Sequence, residues 1–192
     1  VFKAYKELEK FDGVKEFFKK NIVKIDKNIP EFAGLGGGSS NCATFINMVN
    51  IACNLNLNKN ELAKIGAKIG ADVPFFIYEY DSANVSGIGE IVEEFKEEPF
   101  NVEVITPKIS CDTGKIYKNF REKFYKEQNI EIVKDEVKEF FATNSKDILG
   151  KISINDANDL YFPALDLNQD LKRFEKENWF FSGSGSSFFK IL

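Results

Sequence analysis

The 192-residue sequence contains no histidine, and this absence excludes several kinds of chemistry. Histidine is the only side chain that ordinarily changes charge near neutral pH, and it is the commonest metal ligand in proteins. A histidine-based catalytic triad, a metal site with histidine ligands and histidine general-base catalysis are therefore excluded for these residues. Catalysis by this chain has to depend on carboxylates, lysines or hydroxyl groups.

The sequence also has few cysteines, no long apolar run and no excess of positive charge. The three cysteines have no paired spacing, and two of them lie on the predicted buried face of one helix, so we expect reduced core residues of a cytoplasmic protein. No run of 18 apolar residues predicts a membrane span. The net charge of −4 argues against a nucleic-acid or anionic membrane surface. Any phosphate ligand therefore has to be held by local amides and dipoles.

Hydrophobic residues make up 43% of the sequence, which is enough for a full core and excludes a disordered chain. Strand and helix patterns alternate and predict an α+β protein with two domains. The charged segment Lys96-Glu97-Glu98, closed by Pro99, is the best linker candidate. We therefore predict domains at residues 1–98 and 99–192.

Several local patterns predict individual elements. Val23 and Ile25 alternate with charged residues, which is typical of a half-buried strand, and Asn60 is a plausible helix N-cap. Further helices are predicted from apolar spacing around residues 116–124, 137–141, 145–150 and 167–174. Residues 179–192 predict a strand, a glycine turn and a strand, and the charged residues 134–136 predict a solvated face.

The most informative stretch is Gly34-Leu35-Gly36-Gly37-Gly38-Ser39-Ser40, which leads directly into an apolar-periodic helix. Glycines let a ligand approach the main chain, and the two serines suit a helix start. The free N–H groups and the dipole of a helix start favour an anion, so the stretch predicts a phosphate site. The alternative is a tight turn or a flexible linker.

The stretch lacks the lysine of a Walker A loop and the third glycine of a Rossmann fingerprint. Residues 29–40 instead resemble the phosphate loop of the GHMP kinases. Residues 70–76 (Gly-Ala-Asp-Val-Pro-Phe-Phe), 87–90 (Gly-Ile-Gly-Glu), 158–160 (Asn-Asp-Leu) and 182–185 (Ser-Gly-Ser-Gly) follow in order. Together they resemble the 4-diphosphocytidyl-2-C-methyl-D-erythritol kinase family of non-mevalonate isoprenoid biosynthesis.

The resemblance implies a two-domain GHMP kinase fold, with an N-terminal domain similar to part of ribosomal protein S5 and a ferredoxin-like C-terminal domain. It implies ATP, with Mg²⁺ arriving on the nucleotide, and phosphorylation of the 2-hydroxyl of a cytidine-diphosphate sugar alcohol. Family members carry an N-terminal portion with a catalytic lysine ahead of the position of Val1. The resemblance thus implies that this sequence is incomplete at its start and lacks half of the catalytic pair.

The resemblance also assigns site residues. Asp72 is expected to act as the general base or to orient the substrate hydroxyl, and Ser40 is expected to reach Mg²⁺, with no dedicated metal site. Tyr117 is expected to stack on the cytosine. The expected ATP-binding residues are Pro30, Glu31, Phe32, Ala33, Gly34, Leu35, Gly36, Gly37, Gly38, Ser39 and Ser40, and the expected substrate-binding residues are Asp72, Gly87, Ile88, Thr113 and Tyr117.

Each assignment has a structural alternative. Asp72 could cap a turn before Pro74, Thr113 could cap a helix (a position that Asp112 could also take), and Tyr117 could be a core aromatic. The turn at residues 183–185 could be purely structural or could help to close the cleft. The functional alternatives are another GHMP kinase, such as homoserine or mevalonate kinase, and a non-catalytic nucleotide-binding fragment.

Overall fold

The computed structural model describes residues 1–126 and 137–192. The chain forms two compact units. The first contains Val1–Asn28 and Gly36–Glu98, and the second contains Ile29–Leu35 and Pro99–Leu192. The chain therefore passes from the second unit into the first between Leu35 and Gly36, in the middle of the glycine-rich stretch.

The first unit is built mainly from helices. They are α1 (Phe2–Leu8), α2 (Val14–Lys20), α3 (Gly37–Ala52), α4 (Lys59–Ala67) and α5 (Val73–Tyr78). The predicted apolar face of α3 is buried in the core of this unit, with α1, α4 and α5 packed around it. The buried residues of α3 are Cys42, Ala43, Phe45, Ile46 and Val49.

The packing of α4 on α5 explains one glycine. A Cβ atom on Gly66 would lie 2.7 Å from Cδ1 of Ile77 and 2.8 Å from Cγ1 of Val73. Both of these side chains are buried, so a side chain at position 66 would force the two helices apart. Glycine therefore brings the helix that begins after Asp72 close to the core.

Two element predictions in this unit are wrong. The N-cap of α4 is Asn58, whose side chain accepts the Glu61 N–H at 3.0 Å, while the Glu61 carboxylate accepts the Asn58 N–H at 2.8 Å. Asn60 instead accepts a hydrogen bond from the Tyr78 hydroxyl at 2.9 Å. Val23 and Ile25 lie in an irregular segment, 40% and 47% exposed, because none of the described strands pairs with it.

A β-hairpin completes the first unit. Strands β1 (Ala83–Ser86) and β2 (Ile91–Glu94) pair antiparallel, with Ser86 opposite Ile91. Residues 87–90, the Gly-Ile-Gly-Glu motif, form the connecting turn. The Gly-Ile-Gly-Glu motif therefore lies at the tip of this hairpin.

The second unit contains an antiparallel sheet in the order β3-β5-β4, formed by Val102–Ile105, Phe188–Ile191 and Phe180–Phe181 respectively. Ile105 and Phe181 both lie opposite Phe188, so the C-terminal strand is central. The predicted strand–turn–strand at the C-terminus is present. Behind the sheet lies a buried cluster of Cys111, Ile116, Tyr161, Ala164, Leu171, Trp179, Phe181 and Phe188.

The helices of this unit are short. They are α6 (Thr113–Asn119), α7 (Ser145–Leu149), α8 (Ile154–Ala157) and α9 (Tyr161–Leu167), and residues 137–142 are also helical. The predicted stripe at 116–124 continues from α6 into a π-helical turn at Phe120–Phe124. The predicted helix at 167–174 is the end of α9 followed by a 3₁₀ helix. The charged residues 134–136 lie outside the described residues.

No helix in the described part of the chain is both long enough and apolar enough to span a bilayer.

Candidate active site

The start of α3 presents backbone N–H groups that the helix itself does not use. Its N-cap is Gly36, whose φ of +65° lies in the left-handed region, and the first bond to the cap runs from the Ser40 N–H to the Gly36 carbonyl at 2.9 Å. Within residues 1–126 and 137–192, no backbone carbonyl accepts the N–H groups of Gly37, Gly38 or Ser39. A 16-residue helix therefore begins with donors available to an anion.

The two serines lie at the predicted helix start. They lie in the first turn of α3 rather than at its cap, and the Ser40 hydroxyl donates to the Gly37 carbonyl at 3.2 Å. Glycine takes the cap because the chain enters with a positive φ, which disfavours residues with a Cβ. A hydroxyl oxygen that donates its proton keeps its lone pairs, so Ser40 Oγ can still accept a hydrogen bond.

The second sequence motif contacts the first within the first unit. A Cβ atom on Gly36 would lie 2.6 Å from Cζ of Phe76, so the aromatic ring occupies the space that a side chain would need. Phe76 lies on α5, which begins directly after Asp72. The open helix start and the acidic motif are therefore held together by direct packing.

Asp72 occupies the N-cap position of α5, but its side chain makes no capping hydrogen bond. The helix enters through Val73 and Pro74, which are both buried, whereas Asp72 is exposed. Within the described residues its carboxylate takes part in no hydrogen bond or ion pair. The bond that a purely turn-capping aspartate would use is thus not formed.

The hairpin turn lies beside the residue that precedes Asp72. A Cβ atom on Gly89 would lie 3.1 Å from the Ala71 carbonyl oxygen, and the φ of Gly89 is +121°. The Ile88 N–H donates to Glu90 Oε2 at 2.7 Å, and the Ile88 side chain is 83% exposed. The structure therefore places Gly89 of the hairpin turn against Ala71, the residue before Asp72.

The earlier part of the loop, residues 30–35, is fastened within the second unit. The carbonyls of Phe32 and Ala33 accept the N–H groups of Ser186 and Ser187, each at 3.0 Å, and the Ser182 hydroxyl donates to the Gly34 carbonyl at 2.8 Å. A Cβ atom on Gly34 would lie 2.1 Å from the Ser182 carbonyl oxygen. These residues of the predicted loop thus use their carbonyls in the fold.

Residues 30–35 are fastened to a turn at residues 182–187, which we call the serine turn. Ser184 Oγ lies 2.8 Å from Thr113 Oγ1, Ser187 Oγ lies 2.8 Å from Thr106 Oγ1, and the Ser186 hydroxyl donates to the Pro107 carbonyl at 2.9 Å. All three serines are buried. The sequence reasoning considered the glycines of this turn and missed the serines, whose regular recurrence was the available signal.

The Asn158 motif supports the same turn. Its side-chain amide donates to the Phe181 carbonyl at 3.0 Å and to the Gly183 carbonyl at 2.8 Å, and its oxygen accepts the Leu160 N–H at 2.9 Å. A Cβ atom on Gly185 would lie 2.2 Å from the Phe181 ring. The third sequence motif therefore has a clear structural reason for its asparagine and for this glycine.

The two residues predicted to face cytosine lie on α6. Asp112 is the N-cap, accepting the Lys115 N–H at 2.9 Å, so Thr113 is free of that task and pairs with Ser184 instead. Ile116 is fully buried, whereas Tyr117 is 45% exposed. Tyr117 thus stands off the buried stripe of its helix with part of its ring accessible.

Comparison with known proteins agrees with this arrangement. Residues 1–80 match the family model of the GHMP kinases N terminal domain. The chain is 50% identical to the 4-diphosphocytidyl-2-C-methyl-D-erythritol kinase of Sulfurimonas denitrificans, over all of this chain and 73% of that protein. It is 43% identical to the kinase of the same name from a Sulfurovum species, over all of this chain and 74% of that protein.

The chain belongs to the 4-diphosphocytidyl-2-C-methyl-D-erythritol kinase family.

A solved structure of a member of this family supports the fold. The crystal structure of 4-(cytidine 5'-diphospho)-2C-methyl-D-erythritol kinase superposes with a TM-score of 0.60 at 26% identity. The match covers 87% of this chain, and the chain spans 60% of that one. The prediction of an α+β GHMP kinase fold is therefore confirmed.

The ionisable groups of this family member suit carboxylate rather than thiol chemistry. Burial raises the pKa of the Cys42 thiol and raises the pKa of Cys111 to about 11, so both stay protonated near neutral pH. Among the described residues, no group of three or more acids or cysteines is placed to hold a metal ion. Asp72 is an exposed acid within the sequence motif, and its side chain makes no capping hydrogen bond.

Proposed function

We propose that the protein transfers the γ-phosphoryl group of ATP to the 2-hydroxyl of 4-diphosphocytidyl-2-C-methyl-D-erythritol, a step of non-mevalonate isoprenoid biosynthesis in the cytoplasm. One observation carries the proposal beyond the family relation. The Phe76 ring of α5 packs against Gly36 at the start of α3. This packing holds the free N–H groups of α3 and the unpaired Asp72 carboxylate on two helices that contact each other.

The nucleotide binds through the loop at residues 30–40. The unused N–H groups of Gly37, Gly38 and Ser39 donate to phosphate oxygens, and the dipole of α3 adds to the attraction. Within this loop, the carbonyls of Phe32, Ala33 and Gly34 accept hydrogen bonds from the serine turn. With a net charge of −4, the chain holds phosphate by local donors rather than by overall charge.

Asp72 either accepts the proton of the substrate hydroxyl or orients that hydroxyl for attack on the γ-phosphorus. Its exposed carboxylate has both oxygens available for this role. Mg²⁺ arrives with ATP and supplies charge neutralisation on the phosphates, and the Ser40 hydroxyl is the group of this loop that would lie toward it.

Two groups of residues contact the acceptor. Gly87 and Ile88 contact its sugar-alcohol portion from the hairpin turn beside Ala71. Tyr117 stacks on the cytosine with its accessible ring face, and Thr113 lies one helical turn earlier on the same side of α6. We assign residues 1–98 to the ATP-binding domain and 99–192 to the C-terminal domain, although residues 29–35 pack within the second compact unit.

A direct assay tests the proposal. The 192-residue chain and a version extended at its N-terminus to the length of its relatives are incubated with ATP, Mg²⁺ and the cytidylyl acceptor. We expect one ADP per phosphorylated acceptor from the extended version, and no ADP with homoserine or mevalonate as acceptor. Calorimetric binding of ATP by both versions without turnover by either would favour the non-catalytic alternative, and turnover of homoserine or mevalonate would favour another GHMP kinase.

A further inference from the structure

We propose that Ser184 is a positioning residue for the acceptor substrate, acting through the hydroxyl of Thr113. The inference rests on the proposed function, because it takes the cytidylyl compound as the acceptor. It goes beyond it by giving one buried serine of the serine turn a task in acceptor binding that its neighbours do not share.

The first observation is the hydroxyl pair itself. Ser184 Oγ and Thr113 Oγ1 lie 2.8 Å apart, although the two residues are 71 positions apart in sequence. Ser184 is only 8% exposed, so its hydroxyl is largely shielded from water that could replace this partner. A buried hydroxyl without its partner is unfavourable, so the pair fixes both side chains.

Thr113 stands at the point where this constraint reaches the proposed cytosine site. It is the first residue of α6, and Tyr117 follows four residues later on the same helix face. Asp112 fixes the first turn of α6 from within the helix, through its bond to the Lys115 N–H. Ser184 fixes the same turn from outside, so the direction of the short helix and the setting of the Tyr117 ring depend on both.

The serine turn can act as an anchor because it is itself fastened on several sides. Its Ser186 and Ser187 hydroxyls are tied to Pro107 and Thr106, and Asn158 holds the carbonyl of Gly183. Ser184 is therefore presented from a rigid support. Because the serine turn is rigid, the position of Ser184 sets the position of Thr113. A mobile turn would instead move together with α6.

The neighbouring Ser182 provides the contrast that gives the inference its specificity. Its hydroxyl donates to the Gly34 carbonyl in the proposed nucleotide loop, not to α6. Within one turn, Ser182 is thus directed at the nucleotide loop and Ser184 at the acceptor helix. Loss of each hydroxyl should therefore affect a different ligand.

The test uses the N-terminally extended protein with three variants, Ser184→Ala, Thr113→Val and the double variant. Acceptor and ATP affinities are measured separately by calorimetry, and stability by thermal unfolding. We expect Ser184→Ala to weaken acceptor binding by about three- to tenfold, the size of one hydrogen bond, with ATP affinity unchanged. The double variant should bind the acceptor no more weakly than Thr113→Val alone, because Ser184 acts through that hydroxyl.

Two further variants keep the test decisive. Thr113→Ser retains the hydroxyl and should keep near-wild-type acceptor affinity. Ser186→Ala removes another buried hydroxyl of the same turn, one that donates to the Pro107 carbonyl. It should lower the unfolding temperature without a loss specific to the acceptor. An equal loss for both ligands in Ser184→Ala, or additive losses in the double variant, would overturn the inference.

The design also separates this inference from the proposed function. If the wild-type protein binds ATP but not the cytidylyl acceptor, the proposed acceptor is wrong and the inference falls with it. If the wild type binds the acceptor and Ser184→Ala binds it equally well, the inference alone is wrong.

Discussion

The chain contains two stretches of similar composition, residues 34–40 and residues 182–187, and they use their polar groups in opposite ways. In the first, the N–H groups of Gly37, Gly38 and Ser39 have no backbone acceptor in the described part of the chain. In the second, every serine hydroxyl has a partner within the protein. Glycine and serine content alone therefore does not separate a ligand site from a scaffold.

The contrast gives a rule for reading substitutions. A polar group that the fold leaves unused is available to a ligand, so its removal should change activity and leave stability nearly intact. A polar group that the fold already uses should, when removed, lower stability first. Asp72 belongs to the first kind, together with the amides of α3, and Asn158 belongs to the second.

Asp72→Asn should give the largest effect. The exposed carboxylate makes no bond in the fold, so we expect the variant to bind both substrates and unfold at the wild-type temperature. Loss of a positioned base should lower turnover by about 10²–10⁴-fold. Asp81→Asn, an exposed acid of the same unit, is the matched control for steady-state kinetics. Near-wild-type turnover in Asp72→Asn would show that Asp72 has only a structural role in the turn before Pro74.

Gly34→Ala should give the next largest effect. It tests whether the first part of the glycine-rich stretch is structural while the helix start is not. The new Cβ would lie 2.1 Å from the Ser182 carbonyl oxygen at a φ of +70°. Residue 34 could then no longer pack against the serine turn as it does in the wild type. We expect the free energy of unfolding to fall by about 2–4 kcal/mol, from the left-handed backbone and the overlap together.

The control for Gly34→Ala is Gly38→Ala, where nothing lies within 4 Å of the new atom. Its stability in urea should be unchanged or slightly raised, because alanine suits a helix better than glycine. Equal destabilisation of the two variants would show that the first stretch is scaffold throughout, and the contrast between the two stretches would be lost.

Asn158→Ala tests a polar group that the fold uses fully. Its amide donates to two carbonyls at the edge of the serine turn, which would then be left with one partner fewer each. We expect the free energy of unfolding to fall by about 1–3 kcal/mol. Asn101→Ala, an exposed asparagine of the same unit, should change it little in the same urea titration. A stable Asn158→Ala variant with slow turnover would instead show that Asn158 acts in the active site and not in the fold.

Asp166 should give the smallest effect, and one that depends on pH. Hydrogen bonds from Lys123 at 2.6 Å and from Asn119 at 3.0 Å lower the pKa of its carboxyl group below the ordinary 3.8. A depressed pKa stabilises the fold above the ordinary value, and this contribution is lost as the pH falls through the folded-state value. In urea titrations, Asp166→Asn should be slightly less stable than wild type near pH 7, and the difference should shrink below about pH 4. A difference that is constant over this range would exclude the charge as its cause.

Much of the fold could be predicted because it depends on local periodicity. The buried face of α3 and the C-terminal pair of strands follow from the spacing of apolar residues and from a glycine turn. The prediction of a strand at residues 23–25 was wrong because alternating apolar residues form a strand only where another strand supplies hydrogen bonds. The N-cap was placed at Asn60 instead of Asn58 because several asparagines compete within one connection.

The rest could not be predicted because it depends on contacts distant in sequence. The hydroxyl of Ser182 reaches a residue 148 positions away, and those of Ser184 and Ser187 reach residues 71 and 81 positions away. No local pattern encodes such partners. Motif resemblance indicated which segments matter, but only the structure separated the open amides of α3 from the fastened groups of the serine turn.

The serine turn also has a consequence for the lengths that this segment can take. Surface loops ordinarily tolerate insertions and deletions. In this turn each hydroxyl has its own partner at a fixed place, so removal of a single residue would shift every later serine to its neighbour's position. One missing residue would cost several hydrogen bonds at once, whereas one substitution costs a single bond. Proteins built on this arrangement should therefore vary the residues of the turn more readily than they vary its number of residues.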